Sequence, residues 1–586
     1  MTRTTYASHG PRRTRIAIVA PLAAAALVLS ACGGGGGDDD EGAAPEEDVQ
    51  TQDVQVVAAQ EQEFSSFNNN TTAENAVRNA LVLNQVLRGF WYYTPDGLTA
   101  ADEEFGSYEL VSEDPLTVDY SFAEAAVWSD GTQIDCGDFL LTWAANTALY
   151  GFSSPGTTGW DQTQKPECAD GDKDVTLVYD TPFADWLAVA GRNTAIMPAH
   201  TVAEQGGLTE AELIDAIAAD DEAGLTGAVD FYNNGWVMNP GELLDPALMP
   251  SSGPYQLDSW EAGASVTLVP NESWWGTPPV SSTIVIRYIT QDQQAQALQN
   301  LEVQIVEPQP NPDILNQLEG MEGIQVATGD DFTYEHLDFN FDSSPFSDRD
   351  LREAFARCVP RELIVENLIR PLNPEAVVMD VRNTMPFQQG YAEQIDGVGA
   401  EDFQEVDIAG AQALLAAAGQ EGLQVRLGYQ TPNPRRTQTV ELIRDSCGQA
   451  GFEIIDAGSD TFFGTELTQN QYDVALFGWA GSALVTASSA NFTTVSACDA
   501  DSKGNNNGCY SNPQVDELYT ELNQTIDADA QGPIMKEIEQ ILWEDLATIP
   551  LFAFPALAAW SDTVDGVVAN PSQAQITWNM HEWGQV

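Results

Sequence analysis

The sequence predicts an α/β protein built from more than one lobe. Three observations lead there. The chain has 586 residues, more than a single hydrophobic core serves. Hydrophobic residues make up 43% of it and include 14 tryptophans, enough to fill a large interior. Short β-branched runs alternate with helical patterns, as at residues 425–430, 437–450 and 452–455, a strand–helix–strand unit.

The charge narrows the partners. Lys and Arg total 22 against 89 Asp and Glu, for a net charge of −67. Such a surface repels nucleic acid and anionic lipid head groups, so neither is expected as a partner. At the N-terminus, Arg3, Arg12, Arg13 and Arg15 precede an apolar run, residues 16–29, too short for an ordinary membrane span. Leu29-Ser30-Ala31-Cys32 resembles a bacterial lipobox. The resemblance implies a signal peptide over residues 1–31 and lipidation of Cys32. Residues 32–54, rich in Gly and Asp, read as a flexible, self-repelling tether.

The most informative stretch begins at Ser252-Gly253-Pro254-Tyr255 and ends at Asn271-Glu272-Ser273-Trp274-Trp275-Gly276. An alternating aromatic run, a turn at Gly263 and a β-branched run, residues 265–269, make it a hairpin. Other motifs follow the same order as a known family. Trp128-Ser129-Asp130-Gly131-Thr132 reads as a strand end, a turn and then a helix capped by Asp135. Phe339-Asn340 leads to Pro345-Phe346 and to Arg352 and Ala354, and Tyr472-Asp473 leads to Gly478-Trp479. A helix pattern over 534–546 precedes Pro550-Leu551. Together these resemble the solute-binding proteins of ABC importers, specifically the peptide/nickel class.

That resemblance implies a two-lobed fold of the periplasmic-binding-protein type II kind, with an extra subdomain inserted in the first lobe. Lobe I is expected over 55–105, 250–333 and 550–586, the insertion over 106–249, and lobe II over 334–549. It implies extracytoplasmic capture of a solute, an oligopeptide first, and delivery to an ABC permease and through it to ATPase subunits. The chain would act as a monomer without a cofactor, anchored by Cys32 to the outer face of the bacterial cytoplasmic membrane. The alternatives are a sugar, a nickel chelate or another solute on the same fold, an acidic surface adhesin, or a hydrolase.

Six cysteines follow Cys32, and an even number in an exported chain points to disulfides. The expected pairs are Cys136–Cys168, Cys358–Cys447 and Cys498–Cys509, each inside one lobe. Metal ligation is the rival, but no CxxC pair or Cys/His cluster supports it. No HExxH or G-x-S-x-G motif supports an enzyme. In peptide-binding members an aspartate shortly after Gly-Trp grips the ligand's amino group. Here Ser482 stands at that place. Trp479 is expected to line the cleft or to be a core residue, and Asn69, Asn70 and Thr71 are polar candidates from the first lobe. Phe339 and Asn340 are expected near a hinge or at a buried strand end. Arg435 and Arg436 could meet a carboxylate, but after Pro432-Asn433-Pro434 they read first as a solvated turn.

Overall fold

The computed structural model describes residues 50–342, 345–500 and 502–586, and Cys32 and the signal segment lie outside them. A ten-stranded mixed sheet runs through these residues. In spatial order its strands are Glu453–Ser459, Gln424–Gln430, Val474–Ala480, Ile324–Phe339, Thr548–Ser561, Ile305–Val306, Gln52–Gln60, Ser281–Tyr288, Ser265–Pro270 and Tyr255–Glu261. The two long central strands, of 16 and 14 residues, lie antiparallel and cross from one half to the other. On one side of the crossing they feed a core holding Leu337, Phe355, Val425, Leu476 and Phe552. On the other, Val326, Leu557 and Ala559 join the packing around Leu298 and Val306. A separate, larger core holds Trp128, Leu268, Ile284 and Trp583.

The hairpin forms as its pattern predicts. Tyr255, Leu257 and Trp260 point inward, and Gly263 makes the turn at φ +66°. Gly253 is required by close approach, because a Cβ there would lie 2.4 Å from the Gln85 carbonyl oxygen. Asn271 ties the two ends together by donating from Nδ2 to the Gly253 carbonyl at 2.9 Å. Strand Gln52–Gln60 pairs in parallel with Ser281–Tyr288, so the chain is already in the sheet at Gln52, ahead of the expected end of the tether.

The inserted region builds its own antiparallel sheet from Gly106–Glu113, Leu116–Phe122 and Asp174–Val178. Helix Cys136–Asn146 packs with it, and Asp135 and Asp138 form a reciprocal capping box at its start. In the second half, Gln424–Gln430 and Glu453–Ser459 are parallel and joined through helix Pro434–Ala450. That helix starts earlier than its apolar pattern predicts. Asn433 caps it through the Arg436 amide (3.0 Å) and Pro434 opens it, so Arg435 and Arg436 sit in a first helical turn instead of a solvated turn.

Disulfides join Cys136 to Cys168, Cys358 to Cys447 and Cys498 to Cys509. The second clamps helix Arg349–Cys358 to helix Pro434–Ala450. Among the described residues no helix is long and apolar enough to cross a membrane.

Candidate functional site

The crossing strands lose register at one place. Asp330 pairs with Pro555, but the next pair is Tyr334 with Ala553, leaving Asp331, Phe332 and Thr333 opposite the single residue Phe554. A bulge of this kind bends the strand and re-aims its side chains. All three bulged residues line a cavity of about 460 Å³. The second half adds Arg435, Gly481 and Ser482 to its wall, and the first half adds Tyr93, Asn193, Glu307 and Asn570.

Ser482 lines this cavity. Its Oγ accepts from the Leu484 amide at 3.1 Å, and its side chain meets the Tyr93 hydroxyl from the opposite half. Burial pushes that hydroxyl up to about 12. Strand Val474–Ala480 pairs Ala480 with Thr333, and the Gly481 amide donates to the Phe332 carbonyl (2.9 Å). Ser482 and Asp331 both line the cavity.

Trp479 is a core residue. Alternation along its strand turns Gly478 toward Phe554 and Trp479 the other way. It is buried and stacks on the His336 ring, with centroids 3.8 Å apart and planes 14° apart. Phe339 and Asn340 also lie deep in the second half, past the crossing. Phe339 packs on Phe346 and Phe355, and Asn340 Nδ2 holds the Tyr472 carbonyl at 2.9 Å. Asn69 and Asn70 line a smaller cavity of about 190 Å³, which shares Asn193 and Gln573 with the main one. Their side chains mainly shape their own loop: Asn69 Oδ1 accepts from the Ala76 amide (2.9 Å), and Asn70 Nδ2 donates to the Ala195 carbonyl (2.9 Å). Thr71 is buried and lines neither cavity. Helix Val77–Leu83 follows this loop.

The charged groups of the site were not legible as such. Glu307 follows strand Ile305–Val306, and both its oxygens accept from the Ile576 amide at 3.2 Å. Burial pushes it up to about 8. Burial also pushes Asp331 up to about 7, against hydrogen bonds from Thr333 that favour its charged form. The Arg435 guanidinium lies 4.3 Å from the Phe554 ring centroid and 3.5 Å from Glu335. Asp185, from the inserted region, accepts from the Val485 amide (3.0 Å) and the Thr486 amide (2.9 Å) of the loop that carries Ser482. The one sequence signal for any of these was Asn433-Pro434, a cap followed by a first-turn proline, which places Arg435 on a helix.

None of the described histidines lines the cavity, so no serine–histidine pair is assembled there. The ligand atoms of Asp135, Asp138 and Glu210 come within 4.8 Å of one another in the inserted region. The Asp138 oxygens already accept from the Trp128 indole and from the Asp135 and Ala199 amides, so the group reads as caps. The main cavity thus offers hydroxyls, carboxyls, a guanidinium and aromatic faces from two halves, which is equipment for binding.

The family model "Bacterial extracellular solute-binding proteins, family 5 Middle" matches residues 103–500. The chain belongs to family 5 of the bacterial extracellular solute-binding proteins. An uncharacterised lipoprotein of Mycobacterium tuberculosis (strain ATCC 25618 / H37Rv) is 29% identical over 532 residues, covering 88% of this chain and 91% of the relative. The oligopeptide-binding protein OppA of the same strain is 24% identical over 485 residues, covering 80% and 75%. The structure of a periplasmic EDTA-binding protein, EppA, is similar with a TM-score of 0.78 at 22% identity, covering 92% of this chain and 97% of that one. The two-lobed type II binding-protein fold, with its inserted subdomain, is thus the fold of this family 5 protein. Family 5 proteins are solute-binding components of ABC importers.

Proposed function

We propose that the protein captures an oligopeptide between its two lobes and delivers it to an ABC permease and its ATPase subunits. It works as a monomer without a cofactor, held at the outer face of the cytoplasmic membrane by lipid on Cys32. The lobes are those read from the sequence, meeting where the central strands cross. The observation that carries the reading is the cavity at that crossing, walled by Tyr93 and Glu307 from one half and by Asp331, Arg435 and Ser482 from the other. A solute held there touches both lobes, so it favours the closed state by its differential affinity.

The neighbouring cavities support an elongated ligand. One of about 240 Å³ shares Glu307, Asn570 and Pro571 with the main cavity, and one of about 190 Å³ shares Asn193 and Gln573. The likeness to OppA supports a peptide in particular. The test is to purify the protein from its own cells, denature it and identify the released small molecules by mass spectrometry. Oligopeptides in near-equimolar amount are expected. A sugar or a metal chelate in their place overturns the peptide assignment.

A further inference from the structure

We propose that Lys503 and Asn470 become joined by an amide bond between their side chains, an internal cross-link formed in the folded second half with loss of ammonia. The inference is independent of what the cavity holds.

The bond joins groups that already touch. Lys503 Nζ donates to Asn470 Oδ1 at 2.8 Å and to the Leu467 carbonyl, and both partners are uncharged oxygens. The lysine is 3% exposed, whereas Lys165, Lys173 and Lys536 keep part of their surface in water. Asn470 is held from its other side. Its Nδ2 donates to the Cys498 carbonyl at 3.2 Å, and its own carbonyl accepts from Asn340 Nδ2 at 3.2 Å. The amide thus keeps its oxygen turned to the amine, and Cγ is the next atom along.

The surroundings exclude water. Residues 498–509 form a loop closed by the Cys498–Cys509 disulfide, and Lys503 belongs to it. Gly508 lets that loop seat against the central strand, because a Cβ there would lie 2.6 Å from Asp338 Oδ1. The Tyr472 hydroxyl donates to the Asn507 carbonyl of the loop at 2.8 Å, and Leu467, Tyr472 and Tyr510 are buried in one core cluster.

Asp338 is the third group. It is 3% exposed, its Oδ2 has no hydrogen-bond partner among the described residues, and its charge interacts with that of Lys503. An amine attacks through a lone pair that an ammonium lacks. Burial lowers Lys503 and pushes Asp338 up to about 8, so each is moved toward its neutral form. The Nζ lone pair forms the bond to Asn470 Cγ while the carbonyl π pair moves onto Oδ1. One Nζ proton goes to Nδ2, with the Asp338 carboxyl giving up one proton and taking the other. The pair on Oδ1 then re-forms the carbonyl, the Cγ–Nδ2 bond breaks and ammonia leaves. Nothing is oxidised or reduced. The product constrains the unfolded chain as a disulfide does, and it survives reduction.

The test is chymotryptic digestion of the purified full-length protein, denatured, reduced and alkylated, with the peptides identified by mass spectrometry. Chymotrypsin cuts between the two residues, at Tyr472 and Trp479. Wild type is expected to give a branched peptide joining the Asn470 and Lys503 segments, lighter than their sum by one ammonia molecule. Lys503→Arg and Asn470→Ala are expected to give linear peptides alone. Asp338→Asn keeps the shape of the side chain without its acid, and is expected to leave the two residues unlinked with wild-type circular dichroism. Linear peptides alone from wild type overturn the proposal. A branched peptide that persists in Asp338→Asn overturns the part given to Asp338 and leaves the cross-link standing. The wild-type digest needs no variant, so it decides the cross-link even if a variant does not fold.

Discussion

Asp185 accepts a hydrogen bond from the backbone amide of Thr486, 301 residues further along the chain, at 2.9 Å. The same carboxylate takes the Val485 amide at 3.0 Å, and beside it the Ala184 amide donates to the Asn523 carbonyl at 2.6 Å. The inserted region thus reaches across and holds the loop that supplies Gly481 and Ser482 to the cavity. Both Asp185 and Thr486 are buried, so the bonds are shielded from water. Asp185→Ala leaves two amides without their acceptor, at a cost of about 1–3 kcal/mol to the closed state. Stopped-flow measurement of solute release is expected to show dissociation faster by about ten- to a hundredfold. An unchanged release rate means that this contact does not hold the cleft shut.

Burial at the site also sets a pH dependence. Glu307 is held up to about 8, against an ordinary value of 4.5. Between those values the folded protein keeps a proton that the unfolded chain has lost, so stability falls as pH rises through that window. Asp338 and Glu210, each also raised to about 8 by burial, act in the same direction. The buried His336 and His581 are held well below 6.5 by burial and charge only in the unfolded chain, so their opposite effect is complete by about pH 7. The melting temperature of the ligand-free protein is expected to fall between about pH 7 and about pH 9, and Glu307→Gln to flatten part of the fall. A rising melting temperature over that range contradicts the assignment.

Trp479 separates stability from binding. It packs on His336, Tyr334, Phe477 and Phe492 and lines no wall of the main cavity. Trp479→Leu removes a buried ring and is expected to cost about 3 kcal/mol in chemical denaturation. Solute affinity should stay as in wild type. A large loss of affinity with little loss of stability would mean that the ring reaches the ligand after all.

Much of the scaffold was legible because it is local chemistry. The hairpin around Gly263, the capping box of Asp135 and Asp138, and the strand–helix–strand unit that ends at Glu453–Ser459 follow from periodicity and caps. Ser482 reached the cavity because it sits a short, fixed distance beyond a strand end. The rest is tertiary. The bulge that aims Asp331 exists because two long strands shift register against each other, and neither strand announces that alone. Asp185 meets its partners only after the inserted region has docked. Trp479 was ambiguous because an aromatic residue after glycine suits a core or a cleft equally, and the face is decided by strand alternation from Gly478. Phe339 and Asn340 were read as near a hinge or at a buried strand end, and both are buried at the end of strand Ile324–Phe339, beyond the register break between Asp330 and Tyr334.

The most direct test of the account is a thermal-shift titration of the purified protein against free oligopeptides, with sugars and nickel chelates in parallel. A ligand that binds only the native state raises the melting temperature by mass action, about 2.7 kcal/mol at a hundredfold excess over Kd. The account predicts a saturable rise with oligopeptides and none with the others. A rise with a sugar or a nickel chelate and none with any peptide contradicts it.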